Sequence, residues 1–160
     1  MVTDRALNQM LLDAFPELSR TYSKFVSWQD GDDTNLHGTY GFVLMPAIRE
    51  AALALDKTKL KQYSDFVEMI LDLKDENAEN VIAVSVIEVL QDLDGPHRAM
   101  TFAALGPKAR QIWLDMERWV VEHRDDVRKF NASLTTQGNG SWPWELLAEI
   151  QASGNDAGTK

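Results

Sequence analysis

Residues 58–74 read TKLKQYSDFVEMILDLK, and this stretch decides the fold class. Its apolar side chains recur every three or four residues, which is the spacing of one face of an α-helix. The positions that share this face are Tyr63, Phe66, Val67, Ile70 and Leu73. The pattern therefore predicts an amphipathic helix that begins at Asp56 or Thr58 and runs to about Lys74.

Helical spacing continues along the rest of the chain, and strand signals are almost absent. Gly95-Pro96 and Gly106-Pro107 each end one helix and start the next. The segment 29–41, QDGDDTNLHGTYG, is rich in Gly, Asp and Asn and is predicted to be a loop. The remaining predicted helices have the approximate bounds 4–15, 16–28, 43–55, 78–93, 96–105, 108–131 and 142–150.

These elements predict an all-α fold. About seven or eight helices joined by short turns form αα-hairpins, which either close into a bundle or stack into a short HEAT-like solenoid. With 160 residues, of which 44% are hydrophobic, the chain is long enough for the core of one domain. We expect a single helical domain at residues 1–151 and a flexible C-terminal tail at residues 152–160.

Composition and charge exclude several classes of protein. The 25 Asp and Glu residues outnumber the 16 Lys and Arg residues, for a formal charge of −9, so the basic footprint of a nucleic-acid or anionic-membrane binder is missing. The absence of cysteine excludes disulfides, thiolate nucleophiles and zinc–cysteine sites. No apolar run approaches the ~18 residues of a membrane span, and the N-terminus lacks signal-peptide features. The expected compartment is the cytoplasm.

No motif in the sequence indicates catalysis or metal binding. Asp30, Asp32 and Thr34 begin like a calcium loop, but the sixth and twelfth positions are Asn35 and Gly41, where an EF-hand has Gly and Glu. The three histidines lie far apart, and none has the spacing of a metal ligand pair. Motifs of hydrolases and nucleotide-binding proteins are also missing. We therefore expect neither a cofactor nor an enzyme.

Negative charge is concentrated in residues 65–94, where Lys74 is the only base. On a helix, most of these acids fall within about one third of the circumference, opposite the apolar face. Carboxylates three or four residues apart repel each other by about 0.2–0.5 kcal/mol per pair, so the stripe does not stabilise its own helix. The nine acids are Asp65, Glu68, Asp72, Asp75, Glu76, Glu79, Glu88, Asp92 and Asp94.

Two interpretations of this acidic stripe remain open. It is either an ordinary solvated face, with residues 75–77 capping the following helix, or a docking surface for a basic protein. Under the second interpretation, the acidic loop at residues 30–33 extends the surface. The predicted partner-binding residues are Asp65, Glu68, Asp72, Asp75, Glu76, Glu79, Asp92, Asp94, Asp30, Asp32, Asp33 and Tyr40.

Glu88 raises an alternative of a different class. Residues 80–93, NVIAVSVIEVLQDL, are apolar nearly all round, so we expect this helix to be central and Glu88 to be partly buried. A buried carboxylate must be paired, hydrogen-bonded or protonated. It is therefore either hydrogen-bonded internally, to a helix N-terminus or to an arginine such as Arg49, Arg98 or Arg110, or it is an acid–base residue of an enzyme or small-ligand protein in an inter-helix groove.

The stretch from about Phe15 to Trp119 resembles a group of small helical bacterial proteins. The segments that carry the resemblance are FPEL, HGTYGF, YSDFVEMILDL, ENVIAVSVIEVL and LGPKARQIW. Proteins of this group are associated with polymorphic toxins and contact-dependent growth inhibition, where they act as immunity proteins. The resemblance implies a protein that binds a cognate toxin and blocks its active site. It transfers no individual site residue.

A nuclease toxin would suit the charge of this chain. Nuclease clefts are cationic because they hold phosphate backbones, and an acidic helix face can occupy such a cleft in place of the polyanion. We therefore expect a basic toxin as the partner, with no nucleic acid and no membrane involved. The sequence does not predict an oligomeric state.

Overall fold

The computed structural model describes residues 2–126 and residue 129, and every regular element within them is helical. The all-α prediction is therefore confirmed for this part of the chain. A 3₁₀ helix, Pro16–Leu18, connects α1 to α2. The α-helices are α1 (Asp4–Ala14), α2 (Ser19–Trp28), α3 (residues 36–53), α4 (Lys57–Leu71), α5 (residues 76–90), α6 (Gly95–Ala104) and α7 (Pro107–Glu122).

The chain divides into two units, residues 1–117 and residues 118–160. The first unit holds α1 to α6 and most of α7. In the second unit, the described residues contain the end of α7 and the Trp119 ring stacked on His123, with ring centroids 4.5 Å apart. The predicted helix at 142–150, the domain boundary at 151 and the tail at 152–160 lie outside the described residues.

Helix starts follow the capping chemistry of the sequence. Thr3 caps α1, and Asp56 caps α4 by accepting a hydrogen bond from the Lys59 N–H at 3.0 Å. Asp75 caps α5 in the same way, with its Oδ1 3.2 Å from the Ala78 nitrogen. These side chains satisfy N–H groups that have no partner inside their helix, which explains why the helices begin where they do.

The predicted loop at residues 29–41 is wrong in its second half, because α3 already begins at Leu36. The Asn35 side chain caps it by accepting a hydrogen bond from the Gly38 N–H at 2.7 Å. Gly38 is buried, and a Cβ atom at this position would overlap the Phe25 ring. This glycine thus allows α2 to approach α3 closely and does not mark a turn.

Helix α7 runs from Pro107 to Glu122. His123 forms a turn, and its Nδ1 lies 2.9 Å from the Trp119 carbonyl oxygen. Residues 124–126 are helical again. The predicted helix end near residue 131 lies outside the described residues.

Both α3 and α5 contain a π-helical segment in their middle. These wider turns are Tyr40–Leu44 in α3 and Ala83–Ile87 in α5, and the two pack against each other. π-Helical turns are rare and occur frequently at functional sites. The contact between α3 and α5 is therefore a candidate position for a functional site.

Helix α4 lies at the centre of the first unit. This helix contacts α1, α3, α5 and α6, and α3 also contacts α6. These contacts agree with αα-hairpins packed around one core, and both predicted arrangements, a bundle and a short solenoid, contain such contacts. The largest fully buried side chains are Trp113 of α7 and Tyr40 of α3.

Candidate functional site

Glu68 of the predicted stripe holds a helix end and is not a free surface acid. Its Oε1 accepts a hydrogen bond from the Ala109 N–H at 2.8 Å, and its Oε2 lies 3.4 Å from the Lys108 nitrogen. A Cβ at Gly106 would overlap the Glu68 side chain, so the glycine makes room for this contact. The carboxylate caps α7, so its assignment as a docking residue remains a prediction, while its contact within the chain is structural.

Asp65 and Asp72 form ion pairs with lysines of the same chain. Asp65 pairs with Lys61 within α4, and Asp72 pairs with Lys108 of α7. Both aspartates are well exposed, so these pairs contribute little to stability. They do lower the net charge that this part of the stripe presents to an incoming protein.

Asp75 is occupied on two sides. Besides capping α5, its Oδ2 accepts a hydrogen bond from the Val2 N–H at 2.8 Å. These hydrogen bonds from the Val2 and Ala78 nitrogens lower the pKa of the Asp75 carboxyl below its ordinary value. The residue therefore stays ionised, and it also ties the start of the chain to α5.

Three acids of α5 keep free carboxylates. Glu76, Glu79 and Glu88 are exposed, and none forms a hydrogen bond or ion pair with another residue of the described part. The expected burial of Glu88 is therefore wrong. Its helix is buried on one side only, and Glu88 lies on the solvent side with Asn80 and Val84. The proposed acid–base role of Glu88 assumed that its carboxyl group is buried in an inter-helix groove, and the exposed position does not support that assumption.

The loop at residues 30–33 is held in place by its own contacts. Arg5 of α1 donates a hydrogen bond from Nε to Asp33 at 2.8 Å, and the Asn8 side chain donates to the Asp33 carbonyl oxygen at 2.9 Å. Asp32 accepts hydrogen bonds from the Thr34 N–H and hydroxyl, and these lower the pKa of its carboxyl. The loop is thus attached to the first turns of α1.

The first turn of α1 also contacts the start of α5. The loop at residues 30–33 and the carboxylates of Glu76 and Glu79 therefore lie at the same end of the unit. Asp4 accepts a hydrogen bond from the Asn77 side chain at 2.8 Å. At this end Arg5 forms an ion pair with Asp33. We call this surface the acidic end; its members are Asp4, Asp30, Asp32, Asp33, Asp75, Glu76 and Glu79.

Tyr40 does not belong to this surface. It is fully buried in α3, and its hydroxyl donates a hydrogen bond to the Leu7 carbonyl oxygen at 3.1 Å. Burial raises the pKa of the Tyr40 hydroxyl well above its ordinary value. Its assignment as a partner-binding residue followed from the wrongly predicted loop and is corrected here.

Asp92 and Asp94 lie beyond the other end of α5, away from Glu76. Partial desolvation raises the pKa of the Asp92 carboxyl, and the positive charges of Arg98 and Arg49 oppose this shift. Asp94 is exposed, with its Oδ1 3.1 Å from the His97 Nδ1. The predicted stripe is therefore two separate groups of acids instead of one continuous ridge.

A polar cluster joins α3 to α5 beside the paired π segments, and no local sequence pattern predicts it. His37 Nδ1 lies 2.8 Å from the Ser85 Oγ, and its Nε2 lies 3.3 Å from the Asn80 side-chain nitrogen. A histidine within hydrogen-bond distance of a serine is a necessary feature of a nucleophile–base pair, but Ser85 is buried and no described cavity opens at it. The cluster fastens the two helices together.

A small cavity lies between α3, α4, α5 and α6. Its water-accessible volume is about 10 Å³, and its lining is almost entirely apolar. One exception is Thr101, whose buried hydroxyl has no hydrogen-bond partner among the described residues. This volume accommodates about one water molecule, so the cavity is too small for an organic substrate.

The described residues contain neither a metal-binding cluster nor a membrane-spanning helix. Among the described residues, no group of three or more histidine and carboxylate side chains could hold a metal ion. None of the described helices has the length and the apolar character needed to cross a membrane.

Comparison with known proteins identifies a family. No curated protein and no solved structure matches the chain. The model of a domain of unknown function, DUF7674, matches residues 8–119, which is more than half of the chain and reaches from α1 into α7. The chain therefore belongs to the DUF7674 family.

Proposed function

We propose that the protein is a binding module that docks a basic protein through its acidic end. The observation that carries this proposal is that the exposed carboxylates of Glu76 and Glu79 have no partner in the described part of the chain. Clustered carboxylates without partners repel one another, and a cationic surface relieves this repulsion. Stoichiometric docking of this kind requires neither a cofactor nor a catalytic residue.

The partner that we propose is a cognate toxin, with a cationic nuclease domain as the specific candidate. Two observations support this choice. The chain carries sequence segments that resemble immunity proteins of polymorphic toxin systems. A nuclease cleft that holds phosphate is positively charged, so it is complementary to the negatively charged acidic end. In this role the protein acts in the cytoplasm of the toxin-producing cell and occludes the cleft by binding there.

Ionic strength gives the first test of the docking mode. The acidic end is exposed, so its attraction to a basic partner is screened by salt. The partner would be isolated on the immobilised protein and purified, and its Kd would be measured from about 0.05 M to about 0.3 M salt. We expect affinity to fall over this range. An affinity that does not change with salt would contradict docking through exposed carboxylates.

Charge reversal tests the surface itself. The variant Glu76→Lys/Glu79→Lys should lose at least about tenfold in affinity, because charges that faced the partner now repel it. The matched control is Glu17→Lys/Glu50→Lys, which changes the charge equally near Tyr63, where α4 meets α3 and the 3₁₀ helix. Circular dichroism checks that both variants stay helical. Equal affinities of the two variants would rule out the acidic end.

The toxin assignment has a test of its own. The purified partner would be expressed in cells with and without this protein. We expect growth inhibition that co-expression relieves, and we expect the Glu76→Lys/Glu79→Lys variant to relieve it less. A partner that binds through the acidic end but harms no cell would overturn the toxin assignment and leave the docking mode standing.

A further inference from the structure

Gly41 is a glycine that the fold itself does not require. Gly38 and Gly106 are each pressed against a neighbouring side chain, so larger residues would not fit there. Gly41 lies inside the π segment of α3 without a positive φ angle, and a Cβ at this position would meet no heavy atom within 4 Å. Glycine weakens a helix relative to alanine, so neither packing nor backbone conformation explains it.

Gly41 and Val84 lie in the two π segments, and these segments pack against each other. His37 lies one turn before Gly41 on the same face of α3, and its ring contacts Asn80 and Ser85 of α5. Val84 lies one turn after Asn80, with 44% of its surface exposed, in the π segment that packs against that of α3. We call the solvent-facing strip between Gly41 and Val84 the seam. It combines open backbone on one side with an exposed apolar side chain on the other.

The charges around the seam specify what fits it. Glu76, Asn80, Val84 and Glu88 form an exposed row along α5 with the spacing of successive helical turns. The two glutamates lie at the ends of this row, and neither has a partner in the described residues. The row therefore presents one exposed apolar side chain, that of Val84, between two negative ends, which is complementary to a cationic amphipathic segment.

We infer that the seam is the binding site for a cationic amphipathic segment of the partner protein. An apolar side chain of this segment packs on Val84, its backbone passes over Gly41, and its basic side chains meet Glu76 and Glu88. This inference rests on the proposed function and specifies which part of a basic protein is bound. It also accounts for Gly41, because any side chain there would stand in the path of the segment.

The test uses a synthetic lysine–leucine peptide of about 18 residues, which forms five turns of cationic amphipathic helix. Its Kd would be measured by NMR titration of the whole protein. We expect the amide signals of Gly41, Val84 and Glu88 to shift. In the variant Gly41→Gln the Kd should rise at least about tenfold, because a side chain now fills the seam. Thr21→Gln enlarges a side chain on the exposed face of α2 and serves as the control.

Stability separates a blocked seam from a damaged fold. Glutamine is a better helix former than glycine and has room here, so Gly41→Gln should unfold at the same temperature as the wild type or higher. Weaker binding by a protein of undiminished stability would support the inference. A Gly41→Gln variant that binds the peptide as tightly as Thr21→Gln, or a wild type that does not bind it at low salt, would overturn it.

The two proposals fail in different ways. If the Gly41→Gln variant keeps its normal binding affinity while the Glu76→Lys/Glu79→Lys variant loses it, the acidic end binds basic partners but the seam is not their binding site. If neither variant affects binding, both the seam and the acidic end are excluded as the docking surface.

Discussion

Glu68 of α4 and the Ala109 N–H of α7 are joined by a hydrogen bond of 2.8 Å across 41 residues of sequence. The carboxylate thereby takes the place of a capping residue that α7 does not have in its own sequence, since Gly106 and Pro107 at its start have no side-chain acceptor. This contact fixes the first turn of α7 against α4. It also gives a structural role to an acid that the sequence assigned to docking.

We expect Glu68→Ala to lower the free energy of unfolding by about 1–2 kcal/mol, because α7 loses its N-terminal cap. Glu68→Gln should cost less, because its amide oxygen still accepts the hydrogen bond. Urea denaturation measures both. Glu79→Ala, which removes an exposed carboxylate without a partner, is the control and should change stability by less than about 0.5 kcal/mol. Equal losses in all three variants would contradict the capping role.

Two glycines of the same helix should respond in opposite directions to alanine. We expect Gly38→Ala to lower stability by about 1–3 kcal/mol, because the new methyl group overlaps the Phe25 ring. We expect Gly41→Ala to raise stability by about 0.5–1 kcal/mol, because its methyl group enters open space and alanine favours the helix. Thermal unfolding compares the two variants directly. A loss of stability in Gly41→Ala would show that the fold does need this glycine.

The lowered pKa of Asp75 makes part of the stability dependent on pH. Folding favours its ionised form, so the contribution is present above the ordinary pKa of 3.8 and is lost as pH falls through the lower folded value. We therefore expect Asp75→Ala to be less stable than the wild type at pH 7, and the difference to shrink below about pH 4. Urea midpoints measured across this range test it. A difference that stays constant with pH would contradict the role of the charge.

The buried hydroxyl of Thr101 has no hydrogen-bond partner in the described residues, so its removal should not lower the stability of the fold. Thr101→Val keeps the shape of the side chain and removes a buried polar atom that has no partner in the described residues. We expect stability to stay the same or to rise by about 1 kcal/mol, measured by urea denaturation. A loss of more than about 1 kcal/mol would mean that the hydroxyl is hydrogen-bonded in solution, for example to a water molecule in the adjacent cavity.

The sequence predicted the features of the fold that depend on neighbouring residues. Thr3, Asp56 and Asp75 cap helices through contacts with backbone groups only three residues away, so their roles can be inferred from local sequence. The same is true of the amphipathic face of α4, where the predicted positions Tyr63, Phe66, Val67 and Ile70 are buried. The fifth predicted position, Leu73, lies beyond the helix end and is exposed. Local rules of this kind were sufficient for the all-α class and for most helix boundaries.

What the sequence did not predict depends on contacts between distant parts of the chain. Gly38 was interpreted as a loop residue, because only the position of Phe25 shows that it permits close packing. Glu88 was expected to be buried, because its helix is rich in apolar residues, but the neighbouring helices cover only one side of it. The contact between Glu68 and Ala109 has no local signal, so the candidate site could be located only in part.

The hydrogen bond between the Val2 N–H and Asp75 has a practical consequence for handling the protein. Any sequence added in front of Val2 leaves the molecule beside the first turn of α5, next to Glu76 and Glu79. A bulky or basic fusion partner at that position would shield these glutamates and imitate the behaviour of a docking-deficient variant. Affinity measurements should therefore use protein from which such additions have been removed.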